Sequence, residues 1–322
     1  MNRKALSLAV GAAVVFGAAQ QTQADELLFP FFQSGAGSWT FLSLRSDGGN
    51  LNPGTNGQAN NPADDTIAYV FNYDDPVTGP CTHFDVQGSM TDYDIIQQTV
   101  VDPAFSGLDL ASDFGDQSTA NYLPIAGATS GFLTVRDNSG EAQFGGQAII
   151  VDAAAGVATA YRGINDPLDG APTPGDNPNT TGNFDTLLVT SHPSHDFTWY
   201  PVGVVSTSWF VLVTGSNMDK TSGWDGQIDM ALGFGGAFDR DENFLSGGRT
   251  PNVVCYGTLT PGHLLNTAQA SGAELGGWAW VINTPVANND ATGALVYKFE
   301  TTAALGGTVT TISEENPFPN LF

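Results

Sequence analysis

Basic residues are scarce in this chain of 322 residues. Nine Lys and Arg stand against 33 Asp and Glu, which gives a formal net charge of −24 at pH 7. The acidic residues make up an ordinary share of the chain, so the charge results from missing cations rather than from added anions. A surface this poor in Lys and Arg cannot neutralise phosphate groups, which excludes nucleic acids and anionic lipid surfaces as partners.

Long hydrophobic runs are also missing, because no stretch reaches the ~20 apolar residues that a membrane-spanning helix requires. The most apolar stretch, residues 5–19, follows Arg3 and Lys4 and precedes a short polar segment that ends at Ala24. This order is typical of a secretory signal sequence. We therefore expect residues 1–24 to be a signal peptide. The remaining chain is then exported, without a transmembrane anchor, to the periplasm, the cell surface or the extracellular space.

Cysteine is rare as well, since Cys81 and Cys255 are the only two. In an oxidising compartment the two thiols are expected to form a disulfide. Such a bond closes a loop of about 175 residues and contributes on the order of 4–5 kcal/mol at most. Two separate buried thiols are the alternative. A zinc site is less favoured, because neither cysteine belongs to a C-x-x-C motif.

Short runs rich in β-branched and aromatic residues dominate the rest of the chain. Residues 38–45, SWTFLSLR, nearly alternate between apolar and polar side chains, as in a strand with one buried face. Many such runs predict an all-β fold, an antiparallel β-sandwich with one or two short helices near residues 91–96 and 260–270. The apolar run at residues 27–32, LLFPFF, predicts a strand that joins its own sheet or is donated to a neighbouring subunit.

One segment, residues 165–183, has four Pro, three Gly and no aromatic residue. Two organisations are consistent with it. The first is a single β-rich domain over residues 25–322, which a bond between cysteines on opposite sides of the loop favours. The second is a pair of lobes, 25–164 and 184–322, joined by this loop.

The best candidate for a metal site is the segment DRDEN, in which Asp239, Asp241 and Asn243 alternate. Hard oxygen ligands in this spacing begin a calcium loop, but the Gly and the final Glu of an EF-hand are absent. Bound Ca²⁺ would relieve repulsion in so acidic a chain. We therefore expect Ca²⁺ as the candidate cofactor, with a solvated turn as the alternative for this segment.

Tryptophan provides the candidate ligand-binding residues. Trp278 and Trp280 are two positions apart and share one side of a strand, so they form either a binding stripe or, the favoured hypothesis, a core stripe. Trp224 lies in the turn-like segment TSGWDG, where we expect it to be exposed. Together these three residues are candidates for stacking on the apolar faces of sugars.

Catalytic patterns are weak. The segment HPSHD places His192, His195 and Asp196 together, where a general base and its orienting carboxylate are one hypothesis. Adjacent residues do not normally face each other in that hydrogen bond, and no G-x-S-x-G motif accompanies them. A polar loop before a strand is therefore the favoured interpretation.

The sequence as a whole predicts a secreted, acidic β-sandwich protein of the cell surface or of an extracellular layer or filament. We expect it to be non-catalytic and stabilised by Ca²⁺, with further copies of itself or extracellular glycans as partners. A secreted carbohydrate-binding protein and a secreted hydrolase are the alternatives.

Overall fold

A computed structural model describes the residues in the following ranges: 26–35, 37–46, 66–75, 79–89, 95–101, 122–124, 129–137, 144–153, 157–165, 194–215, 218, 223–266, 274–286, 291–302 and 309–314. The predicted signal peptide, the loop at 166–183 and His192 lie outside them.

The chain divides into two compact units. The first is Met1–Asn183 with Asn217–Gly223, and the second is Phe184–Ser216 with Trp224–Phe322.

The first unit contains two five-stranded sheets. One has the order β10-β1-β7-β3-β4 and the other the order β6-β5-β2-β8-β9. All pairs are antiparallel except β5 with β6. The strands are β1 (Glu26–Ser34), β2 (Ser38–Ser46), β3 (Thr66–Asp75), β4 (Gly79–Ser89), β5 (Ile95–Val101), β6 (Tyr122–Pro124), β7 (Thr129–Asp137), β8 (Phe144–Asp152), β9 (Val157–Arg162) and β10 (Ile164–Asn165).

The N-terminal strand β1 lies within its own sheet, between β10 and β7, as the first of the two hypotheses for residues 27–32 predicts. Its pairing with β7 shifts register between Phe29 and Phe32, so both rings face the core despite Pro30 between them. Side chains from both sheets pack there: Leu27, Phe29, Phe32, Leu42, Leu44, Tyr69, Phe71, Val100, Leu133, Val135 and Ala148. The first unit is therefore a β-sandwich.

The second unit contains the remaining strands in two further antiparallel sheets. One has the order β15-β14-β18-β13-β16, with β11 also paired to β18, and the other has the order β17-β12-β19-β20. The elements are β11 (Ser194–Trp199), β12 (Ser206–Gly215), β13 (Gln227–Leu232), β14 (Gly236–Asp239), β15 (Phe244–Ser246), β16 (Asn252–Val254), β17 (Tyr256–Leu259), α1 (Pro261–Leu264), β18 (Gly277–Pro285), β19 (Ala291–Thr302) and β20 (Val309–Glu314).

Aromatic rings join the two sheets of the second unit. Phe197 of β11 stacks on Trp209 of β12 with ring centroids 4.4 Å apart, and Trp199 meets the same indole edge-on at 6.2 Å. All three side chains are buried. Burial of rings this large is a major source of stability in a sandwich core, so β11 and β12 hold the sheets together.

The predicted all-β sandwich is confirmed, but only one of the predicted helices is found among the described residues. Helix α1 begins at Pro261, a residue suited to the first helical position, and covers a single turn. The helix expected at residues 91–96 is wrong at its C-terminal end, because Ile95 and Ile96 pair with β2 as the start of β5. Residues 91–94 lie outside the described ranges. No helix in the described part of the chain is long and apolar enough to cross a membrane.

The predicted disulfide is present, and it joins Cys81 of β4 to Cys255 between β16 and β17. Both cysteines have left-handed backbone conformations, with φ of 65° and 61°. Such values are uncommon for residues other than glycine.

Candidate functional site

The segment predicted to bind metal forms the tight turn between β14 and β15. Asp239 Oδ1 accepts the backbone N–H groups of Asp241 and Asn243, each at 2.9 Å. The Asn243 side chain donates its amide to both oxygens of the same carboxylate, at 3.2 and 3.0 Å. These hydrogen bonds, that of the Asn243 side chain above all, lower the pKa of Asp239 from its ordinary value of 3.8.

Hydrogen-bond donors therefore contact both oxygens with which Asp239 would ligate a cation. Asn243 presents its amide nitrogen to the carboxylate, and a nitrogen that donates in this way is not a calcium ligand. In the part of the chain that the structure describes, no three His, Cys, Asp or Glu side chains are grouped closely enough to hold a metal ion. In this structure Asp239, Asp241 and Asn243 close a turn through these hydrogen bonds.

The expectation that Trp224 is exposed is wrong. Its side chain is fully buried, and its indole Nε1–H donates to the backbone carbonyl of Val213 at 2.9 Å. Its ring also lies over Gly226, where a Cβ would come within 2.2 Å of the indole. Trp224 is therefore a core residue of the second unit and presents no surface to a ligand.

The two residues of the hypothetical base–carboxylate pair point to opposite sides of β11. His195 is buried and lies beside Phe197, with ring centroids 6.4 Å apart. Asp196 pairs directly with Trp280 of β18, so its side chain leaves the other face of the sheet. Consecutive residues on a strand cannot share a hydrogen bond of the kind that the hydrolase hypothesis requires.

Trp278 and Trp280 lie on the outer face of their sheet. Ala279, which lies between them on β18, is buried. Gly277 faces the same way, because a Cβ added to it would come within 2.9 Å of the buried Trp199 ring. The odd-numbered positions of β18 thus face the sandwich core, and the two tryptophans face away from it, half-buried. The favoured core-stripe hypothesis for this pair is not what the structure describes.

Three phenylalanines extend the tryptophan pair. Phe238 of β14 stacks on Trp278 at a centroid distance of 4.8 Å and an angle of 14°. Phe234 lies 5.1 Å from Trp280, and Phe244 lies 5.2 Å from Phe238. Phe234 and Phe244 are 55% and 47% exposed. We call these five residues, Phe234, Phe238, Phe244, Trp278 and Trp280, the outer aromatic face.

Two glycines let rings of this face lie directly against the backbone. A Cβ on Gly233 would approach two atoms of the Trp280 ring to 2.6 Å, and one on Gly236 would approach Phe244 to 2.7 Å. Each ring therefore covers a glycine with one side. Phe244 nevertheless remains exposed, and Trp280 is half-buried.

Polar side chains border the outer aromatic face. Thr198 and Asp196 pair directly with Trp278 and Trp280 across the β11–β18 ladder. Farther along the same side of the sheet, Asp229 of β13 pairs with Thr284 of β18, and its Oδ1 accepts the amide of Asn252 at 3.0 Å. Burial raises the pKa of Asp196 above its ordinary 3.8, while the charge of Lys298 opposes that rise.

Sequence reasoning identified Trp278 and Trp280 but missed the three phenylalanines. Phe238 and Phe244 meet because β14 and β15 form a hairpin, and their direct pairing places both rings on one face. The pairing of β14 with β18, which brings Phe238 to Trp278, spans about forty residues of sequence, and no local signal specifies it. The only available indication was the aromatic content of the segment itself.

No model of a known protein family matches the chain, and no curated protein is similar to it in sequence.

Proposed function

We propose that the chain is an exported, non-catalytic protein of the cell surface or of an extracellular layer or filament, and that it works by contact through the outer aromatic face. The observation that carries this proposal is the cluster of five rings on the solvent side of a sheet. Large exposed aromatic clusters are uncommon on proteins that work alone, and they mark surfaces for partners or ligands. Extracellular glycans and further copies of the chain are the two candidate partners.

The groups that would support catalysis have other roles among the described residues. Cys81 and Cys255 are bonded to each other, and the Asp239 carboxylate closes a turn. His195 and Asp196 lie on opposite faces of β11. These arrangements favour a binding role and lend no support to the hydrolase alternative.

Export and surface exposure can be tested on cells that express the full chain. We expect the mature protein to begin at Asp25 and to be degraded when intact cells are treated with an external protease. Mass spectrometry of the N terminus and shaving of intact cells measure the two expectations. Recovery of the uncleaved chain from the cytoplasm alone would contradict the proposal.

Cation dependence is a separate part of the proposal. A chain with 33 acidic and nine basic residues repels itself, and both salt and Ca²⁺ reduce that repulsion. We therefore propose that Ca²⁺ stabilises the fold through its acidic surface rather than through the Asp239 turn. The melting temperature should rise with millimolar CaCl₂ in wild type and in Asp241→Asn alike. A melting temperature unchanged by CaCl₂ and by NaCl would exclude this mechanism.

A further inference from the structure

We infer that the outer aromatic face binds an uncharged polysaccharide, whose sugar rings lie on the exposed rings while their hydroxyl groups meet the bordering polar side chains. This inference rests on the proposed function, because it names the ligand of the same face. Three features of the molecule support it: the presentation of the rings, the polar groups beside them, and the charge of the chain.

The rings are presented in a fixed arrangement. Trp280 and Phe244 each lie against a glycine of the sheet, at Gly233 and Gly236. The stack of Phe238 on Trp278 holds the centre of the face. Pyranose rings have apolar C–H surfaces that pack on exposed aromatic rings, which Phe234 and Phe244 provide here. A pre-ordered surface loses little conformational entropy when it binds.

The polar border suits hydroxyl groups. Thr198, Asp196 and Asp229 lie on the same side of the sheet as the tryptophans, the first two in direct cross-strand pairs with them. Carboxylate oxygens accept hydrogen bonds from hydroxyl groups, and a threonine hydroxyl both donates and accepts. Ligand sites commonly combine an apolar surface with a few polar groups that orient the ligand.

The charge of the chain selects among possible occupants. A second copy would bring its own large negative net charge, formally −24 over the full sequence, and an anionic polysaccharide would also be repelled by so acidic a chain. An uncharged polysaccharide is not repelled by this surface. The observations therefore favour a neutral glycan over a second copy of the chain.

The test uses the purified mature chain and a panel of neutral polysaccharides, namely cellulose, chitin, β-1,3-glucan and mannan. We expect at least one to retain the protein, and we expect Phe244→Ala and Trp280→Ala each to weaken that retention at least tenfold. Gly233→Ala should weaken it as well, although it removes no ring, because the added methyl group displaces Trp280. The matched control is Val202→Ser with Val204→Ser, two exposed apolar side chains in the β11–β12 loop, which should bind like wild type.

Folding of each variant is checked by near-ultraviolet circular dichroism, and Trp280→Phe, which keeps a ring, should retain more binding than Trp280→Ala. Failure of all four polysaccharides to retain a surface-exposed chain would overturn this inference and leave the proposed function standing. Retention that the ring variants do not change would overturn it too. A self-associating wild type that Phe244→Ala converts to monomer, without glycan binding, would assign the face to a second copy instead.

Discussion

Lys298 Nζ lies 2.6 Å from Glu300 Oε1, two positions further along β19, and both side chains are largely buried. The same ammonium group donates to Thr198 Oγ1 of β11 at 2.8 Å, and it lies 5.6 Å from the centre of the Tyr200 ring. One lysine therefore connects the two sheets of the second unit at the edge that β11 forms. A buried charge of this kind requires its partners, because an unpaired ion in a poorly solvated place is costly.

Lys298→Met should destabilise the second unit by about 3 kcal/mol, since it leaves the Glu300 carboxylate without its cation. Urea unfolding followed by tryptophan fluorescence measures the effect. The double variant Lys298→Met with Glu300→Gln removes the stranded charge and should recover more than half of the loss. A single variant as stable as wild type would show that the ion pair is solvated rather than buried.

Asp239→Asn should lower the melting temperature at neutral pH, because the acceptor of the two backbone N–H groups loses its negative charge and the oxygen that accepts the Asn243 amide becomes an NH₂ donor. The folded-state pKa of Asp239 is lowered, so its contribution to stability is present above the unfolded value of 3.8 and disappears as the pH falls through the folded value. The difference in melting temperature between wild type and variant should thus be constant above about pH 5 and shrink in acid. The exposed Asp241→Asn serves as the control. An equal difference at every pH would show that the charge of Asp239 is not what the turn uses.

Glu242 adopts a left-handed conformation with φ of 65°, in the same turn. For a residue with a Cβ this conformation costs roughly 1–2 kcal/mol, and glycine avoids most of that cost. Glu242→Gly should therefore stabilise the fold by about 0.5–1 kcal/mol. Glu242→Gln removes the charge but keeps the strain, so it should not give the same gain. Equal stabilisation by both variants in chemical denaturation would assign the effect to charge.

Replacing both cysteines by alanine should destabilise the chain by less than the 4–5 kcal/mol that loop-closure entropy allows at most. The entropy figure is an upper limit, because an unfolded chain retains residual structure and a cross-link then removes less entropy from it. Denaturation of the double variant against oxidised wild type measures the change. If the double variant and oxidised wild type had the same free energy of unfolding, the disulfide would make no contribution to stability.

The architecture followed from the sequence because strand signals are local. Alternation in residues 38–45 and the turn residues around them predict β2 without any knowledge of its neighbours. The disulfide followed from the small number of cysteines and the expected compartment. Helix prediction was weaker, since the few polar residues before Ile95 resemble a helix start while the long-range pairing of β5 with β2 decides the outcome.

The outer aromatic face was less predictable because it depends on register and on tertiary contacts. Trp224 sits among turn residues, yet the hydrogen bond to Val213 and the space over Gly226 place it in the core. Trp278 and Trp280 share a side in any strand, but which side faces solvent depends on tertiary packing. The buried Trp199 ring lies on the side of β18 to which Gly277 points, so the two tryptophans face away from the core. Phe238 joins them through a strand pairing that sequence spacing does not encode.

We propose that the outer aromatic face is the contact surface of an exported protein. The most direct test of this proposal is the fraction of the chain that stays attached to intact cells after washing, compared between Phe244→Ala with Trp280→Ala and the control Val202→Ser with Val204→Ser. We expect wild type and the control to remain on the cells, and the ring variant, equally exported and folded, to be released into the medium. Equal retention of all three proteins would show that the outer aromatic face does not attach the chain to the cell.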